Sequence, residues 1–176
     1  MKPIKLIYLV VLFLLITSVG CQNNTDQETP GIDMPLSEMN NGINILVPEV
    51  MNNISNLPFT FTEINNTSDQ EFRLNKQNGI FIYKYENNQW VPINNLMDYG
   101  YDVEVIIYSK ESGLPSKDTI VIVPDASIEE ENNLLRIVCI GEFVSPDGKT
   151  IQQAGAYRDF WLTPDRTVIS IDEESL

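Results

Sequence analysis

Between Ile43 and Ile171 the chain alternates short runs of β-branched and aromatic residues with clusters of Asn, Asp, Gly and Pro. No stretch of this region carries a helical period of convincing length, so the pattern predicts strands joined by turns. The predicted strands are 43–47, 58–64, 80–85, 103–108, 119–123, 134–143 and 156–162, with shorter ones at 72–74, 90–91 and 167–171. About seven to nine strands in a region of this length predict an all-β, antiparallel β-sandwich.

Three stretches carry a resemblance to a known kind of module. They are Phe59-Thr60-Phe61 leading into Asn65-Asn66-Thr67, the strand, turn and Trp of 80–92, and the hairpin 135–158 with Asp147-Gly148 at its turn. With them, most of 57–162 resembles the bacterial immunoglobulin-like (Big-type) domains of lipoproteins and surface proteins. The resemblance implies an immunoglobulin-like sandwich and no particular chemistry, and the Cys–Trp–Cys core of antibody domains is absent.

The first 21 residues have the layout of an export signal. Lys2 and Lys5 precede an uncharged apolar run, 6–16, that is shorter than a membrane-spanning helix. The sequence Thr-Ser-Val-Gly-Cys at 17–21 resembles the bacterial lipobox, with Ser18 where leucine is usual. That resemblance implies a lipid on Cys21 and cleavage before it. The alternatives are an ordinary secretory signal and an uncleaved N-terminal anchor.

Residues 22–42 are polar and rich in Asn, which is typical of a linker that need not fold. The predicted organisation therefore has four parts. They are a lipoprotein signal peptide at 1–20, the lipidated Cys with a flexible linker at 21–42, the sandwich at 43–172 and a short tail at 173–176.

The charge of the chain excludes one class of partner. The net charge is −14, and removal of 1–20 leaves 9 basic against 25 acidic residues, a net charge of −16. A surface this acidic repels the phosphates of nucleic acid. We therefore expect no nucleic-acid partner.

The chain contains no histidine, and Cys139 is the only cysteine besides Cys21. Zinc sites built from Cys and His are excluded, and Cys139 lacks the usual base that a nucleophilic thiol needs. Its position among Leu135, Ile137 and Phe143 on one strand face predicts a buried side chain. We expect no cofactor.

Other catalytic arrangements are also missing. The adjacent pairs Ser109-Lys110 and Ser116-Lys117 would point to opposite faces of a strand, and no G-x-S-x-G motif occurs. These observations predict a protein that is not an enzyme.

Two groups of acids leave a calcium-dependent structural module open. One is Asp98, Asp102 and Glu104, and the other is Asp125 with Glu129, Glu130 and Glu131. Neither follows the EF-hand pattern, and a solvated run of charges is the alternative.

Aromatic residues on two strands are the candidate binding residues. Phe81, Tyr83 and Tyr85 share one strand face, and Tyr157 and Trp161 share another. If both rows reach solvent on one sheet, they form a patch for a sugar or a protein. The alternative is that they pack in the interior.

These features together predict a lipid-anchored protein on the extracytoplasmic side of a bacterial membrane. Its sandwich would bind an envelope or extracellular protein or a polysaccharide without catalysis. The alternative function is that of a protease inhibitor or accessory subunit, acting through a sandwich-end loop such as 113–116.

Overall fold

The computed structural model describes residues 29–54, 57–101, 103–125 and 132–171. Eleven strands form two antiparallel sheets of four and seven strands. The predicted all-β sandwich is confirmed, with more strands than the seven to nine expected. Within the described ranges the single helical element is a 3-10 turn, Leu36–Glu38, and no helix is long and apolar enough to cross a membrane.

Most strands lie at or near their predicted positions, but the sequence pattern missed the short second strand, and the tenth begins at Thr150, six residues before the predicted start at 156. They are β1 Ile43–Leu46, β2 Asn52–Ile54, β3 Leu57–Asn66, β4 Glu71–Asn75, β5 Ile80–Glu86, β6 Gln89–Ile93, β7 Glu104–Ile107, β8 Lys117–Ile122, β9 Asn133–Val144, β10 Thr150–Leu162 and β11 Val168–Ser170.

The small sheet is built around β3. Strands β1 and β2 pair with successive parts of β3, and β8 pairs with it as well. Asn66 at the end of β3 is buried, and its Nδ2 donates to the carbonyl oxygens of Gln70 at 2.7 Å and Ile107 at 3.0 Å. Because a slip of one residue would expose this amide and turn Ile64 outward, these contacts fix the register of β3.

The large sheet is built around the long strand β9. Strand β10 pairs along its whole length, and β4 and β5 pair with successive halves of β9. Residues 76–79 form a turn between β4 and β5. Strand β7 pairs with β4, and β6 pairs with β5. At the β5–β6 turn, Asn87 and Asn88 both have positive φ, as a two-residue hairpin requires.

Apolar side chains from the inner faces of both sheets form one core. Ile64 and Ile120 come from the small sheet, and Phe72, Ile137 and Phe160 come from the large one. Cys139 lies fully buried in this core, as predicted, and burial raises the pKa of its thiol.

The N-terminal segment, defined as residues 29–42, differs from the flexible linker expected at 21–42. It crosses the outer face of the large sheet, where Met39 is buried beside Trp90 and Val138. Asn40 binds the edge of β10, donating its backbone N–H to the carbonyl of Gly155 and accepting from the N–H of Tyr157, each at 3.0 Å. The packed unit therefore includes residues 29–42 and does not begin at Ile43. Residues 21–28 lie outside the described ranges.

Candidate functional site

The five aromatic residues singled out in the sequence do lie on one face, the outer face of the large sheet. Register places Tyr83 opposite Arg136, and Tyr157 opposite Val138. The N-terminal segment covers most of the row: Tyr83 is 2 % exposed, and Phe81, Tyr85 and Tyr157 are half-buried against the same cluster. Trp161 remains 38 % exposed beside its strand partner Ile169. A continuous open patch of all five rings is not formed.

Arg136 lies beneath this cover and was not singled out in the sequence. It is fully buried, and its Nε and Nη2 donate to the two carboxylate oxygens of Asp159, each at 2.7 Å. Its guanidinium lies 4.1 Å from the Trp90 ring centroid and 5.0 Å from that of Tyr157. The available signal was a lone Arg within the apolar run of β9. The ion pair, the ring contacts and the burial give Arg136 a structural role.

The N-terminal segment completes this arrangement. The hydroxyl of Thr29 accepts a hydrogen bond from Arg136 Nη1 at 2.9 Å. The phenol of Tyr83 donates to the carbonyl oxygen of Pro30 at 2.9 Å, and burial raises its pKa. Most of the predicted aromatic face is thus a buried contact between the large sheet and the N-terminal segment.

The outer face of the small sheet presents the opposite picture. Phe61 on β3 is 55 % exposed and lies edge-on to Phe59 at 5.8 Å between ring centroids. Val121 is the strand partner of Phe61, and the exposed Leu46 pairs with Glu63 one step further along. We name Leu46, Phe59, Phe61 and Val121 the phenylalanine face.

The inner side of the same strand carries residues that a core does not favour. Thr60 and Thr62 are both 0 % exposed, and neither hydroxyl has a hydrogen-bond partner among the described residues. An unsatisfied buried hydroxyl costs about 1–3 kcal/mol. Strand β3 therefore buries two threonines while it exposes a phenylalanine, the reverse of what core packing favours.

A loop extends the phenylalanine face at the edge of β8. The Leu96 N–H donates to the carbonyl of Val123, and the Tyr99 hydroxyl donates to that of Val121. Leu96 and Met97 are exposed on this loop. Two exposed acids accompany this loop: Asp98 lies on it, and the Asp125 N–H donates to the carbonyl of Asn94, while Lys117 of β8 is paired with Glu63 at 2.9 Å.

The loop at 109–116 has a defined shape. The Ser112 hydroxyl donates to the carbonyl of Ser109 at 2.7 Å and accepts from the N–H of Leu114 at 3.1 Å. Gly113 has positive φ, and Leu114 is about half exposed. The loop thus presents one apolar side chain from a braced turn.

Across the described ranges, no three His, Cys, Asp or Glu residues come together as a metal site would require. Asp102 and Glu129 to Glu131, which belong to the calcium hypothesis, lie outside those ranges, as does Cys21. No protein-family model, curated protein or solved structure matches this chain.

Proposed function

We propose that this protein is a lipid-anchored binding module of the bacterial cell envelope that acts without catalysis, and that the phenylalanine face is its binding face. The observation that carries the proposal is the inverted alternation of β3. A strand under selection for stability alone would carry apolar residues at the buried positions 60 and 62 and polar residues at positions 59 and 61. Departures from local stability rules are expected where a surface has another role.

The chemistry of this face favours a protein partner. An exposed phenylalanine, Phe61, that packs on the half-buried Phe59 and has aliphatic neighbours is typical of the centre of a protein interface. Asp98 and Asp125 lie at its border, and the chain carries a net charge of −14. A second copy of the chain would bring the same acidic border, and anionic lipid headgroups would be repelled as well. We therefore commit to a protein whose contact surface has an apolar centre and a basic border.

The anchor is part of the proposal. If Cys21 carries the lipid, seven residues, 22–28, lie between it and Thr29, and these eight residue steps span at most about 28 Å. Because the N-terminal segment is packed from Thr29 onward, the sandwich would be held close to the membrane. The partner would then be a protein of the same membrane or of the layer next to it.

Site-specific cross-linking in cells tests the proposal. A photoreactive phenylalanine analogue is placed at position 61 of the full chain, and at position 161 as a control on the opposite sheet. The proposal expects an adduct with one basic protein from position 61 and none from position 161. An adduct with lipid alone, with a second copy of the chain, or with no molecule at position 61 would overturn it.

A protease inhibitor is the second candidate, and the braced loop with its exposed Leu114 favours it. An inhibitory loop must present a side chain in a fixed extended turn. Inhibition of a subtilisin-like or chymotrypsin-like protease by the full chain, abolished by Leu114→Asp, would support this function. Cleavage of the loop without inhibition would exclude it.

A further inference from the structure

The outer face of the large sheet has a second, open half beside the part that the N-terminal segment covers. A pocket of about 510 Å³ lies there, over β4, β9 and β10. Seven of the ten residues that line it are polar, including Arg73, Asn78, Glu104, Glu142, Thr150 and Gln153.

The pocket forms where the turn at 76–79 separates β4 from β5 along the same edge of β9. The Gly79 N–H donates to the carbonyl of Asn75 at 2.7 Å, and the Ile140 N–H donates to the carbonyl of Gly79 at 2.8 Å. A Cβ on Gly79 would lie 2.3 Å from the carbonyl oxygen of Ile140, so only glycine allows this close approach. Interruptions of this kind re-aim side chains next to functional sites.

The floor of the pocket is a connected polar network. Arg73 Nη2 donates to Glu142 at 2.6 Å and to the Thr150 hydroxyl at 2.9 Å, and that hydroxyl donates to Glu142 at 2.7 Å. The hydrogen bond from Arg73 lowers the pKa of Glu142, so this carboxylate stays ionised. Both bonds end on Oε2, which leaves Oε1 as an acceptor.

The walls offer groups that the described part of the chain does not use. Among the described residues, no hydrogen bond or ion pair engages the side chains of Asn78, Glu104 or Gln153. Two of them are amides, which both donate and accept, and the third is a carboxylate that only accepts. A ligand that fills the pocket must therefore present both donors and acceptors at close spacing.

We infer that this pocket is a binding site for a neutral saccharide, separate from the phenylalanine face. Adjacent sugar hydroxyls donate and accept at once, which matches the amides, Glu142 and Glu104. An anionic ligand would face both carboxylates, and a bare metal ion would lack enough ligands in the described residues. The inference stands on the pocket alone and does not require the protein partner.

Calorimetric titration of the full-length chain in detergent micelles tests this site. The probes are four neutral hexasaccharides: cellohexaose, maltohexaose, mannohexaose and chitohexaose. At least one should bind, and Asn78→Ala with Gln153→Ala should weaken that binding at least tenfold. The matched control is Asn44→Ala with Gln152→Ala, two exposed amides outside the pocket, which should leave the affinity unchanged.

Failure of all four hexasaccharides to bind would overturn the inference, and so would equal binding by the pocket variant and the wild type. All four substituted side chains are exposed, so both variants should fold, and the melting curve of each checks this. Phe61→Ser should leave saccharide binding intact. The experiments can therefore reject the saccharide site and the protein interface separately.

Discussion

At the scale of single residues, Arg136 is the most completely buried charged side chain among the described residues, at 0 % exposed. A guanidinium removed completely from water is tolerated only when its charge and donors are satisfied. Asp159 supplies two of the required contacts, Thr29 supplies one, and the rings of Trp90 and Tyr157 lie against the cation. The arrangement ties β9 and β10 to the N-terminal segment.

The first prediction concerns this pair. Asp159→Ala leaves a buried cation without its counter-ion, and we expect it to lower the free energy of unfolding by about 3–5 kcal/mol. Replacing both partners, Arg136→Met with Asp159→Ala, should cost clearly less than the sum of the two single changes. Urea unfolding of the four chains measures this coupling. Additive losses would mean that the ion pair is not the stabilising contact.

The buried hydroxyls give the second prediction. Thr62→Val removes an unsatisfied hydroxyl from the core, and we expect it to raise the free energy of unfolding by about 1 kcal/mol. The control is Thr29→Val, because the hydroxyl of Thr29 is also buried but accepts from Arg136, so this change should destabilise. Thermal and urea unfolding compare the two. A loss of stability in Thr62→Val would show that its hydroxyl has a partner after all.

At the scale of elements, the positions of the strands could be predicted from alternation and turn residues, but the orientation of β3 could not. The pattern Phe-Thr-Phe-Thr-Glu-Ile-Asn alternates whichever side faces inward. Its inward side is chosen by Ile64 and by Asn66, whose amide needs the carbonyls of Gln70 and Ile107. Ile107 is 41 residues away in sequence and Gln70 lies beyond the end of β3, so reasoning from the strand alone could not find these partners.

The N-terminal segment escaped prediction for a related reason. Its few apolar residues are separated by Pro, Ser, Glu and Asn, which gives neither a helical nor a strand period. The segment packs on the outer face of the large sheet because that face carries many aromatic side chains. The same rings that suggested a binding patch are what this segment covers. Of the predicted patch, only Trp161 remains substantially open.

The third prediction tests whether this segment is structural. Met39→Ala should lower the free energy of unfolding by about 2–4 kcal/mol, because it opens a cavity against Trp90 and Val138. Met97→Ala is the matched control, since Met97 is exposed and should change stability by less than about 0.5 kcal/mol. Chemical denaturation of both variants measures these changes in the free energy of unfolding. Equal, small effects in both variants would support the flexible linker that the sequence predicted.

At the scale of the whole molecule, the two outer faces of the sandwich differ in how much of their surface is covered. On the large sheet, the N-terminal segment covers one part of the outer face, and the polar pocket lies in the uncovered part. The outer face of the small sheet presents an uncovered phenylalanine pair with acidic neighbours. The sequence predicted the two-layer fold, but it did not predict that the aromatic row of the large sheet is mostly covered, because coverage by the N-terminal segment is a property of the assembled fold.

The affinity of the partner cross-linked through position 61 tests the central claim most directly. It is measured by calorimetry on the full-length chain in detergent micelles, for the wild type, Phe61→Ser and Trp161→Ser. We predict that Phe61→Ser raises the Kd at least tenfold, that Trp161→Ser leaves it unchanged, and that added salt weakens binding, as an acidic border meeting a basic one requires. An unchanged Kd in Phe61→Ser, or a loss confined to Trp161→Ser, would contradict the account and return the binding face to the large sheet.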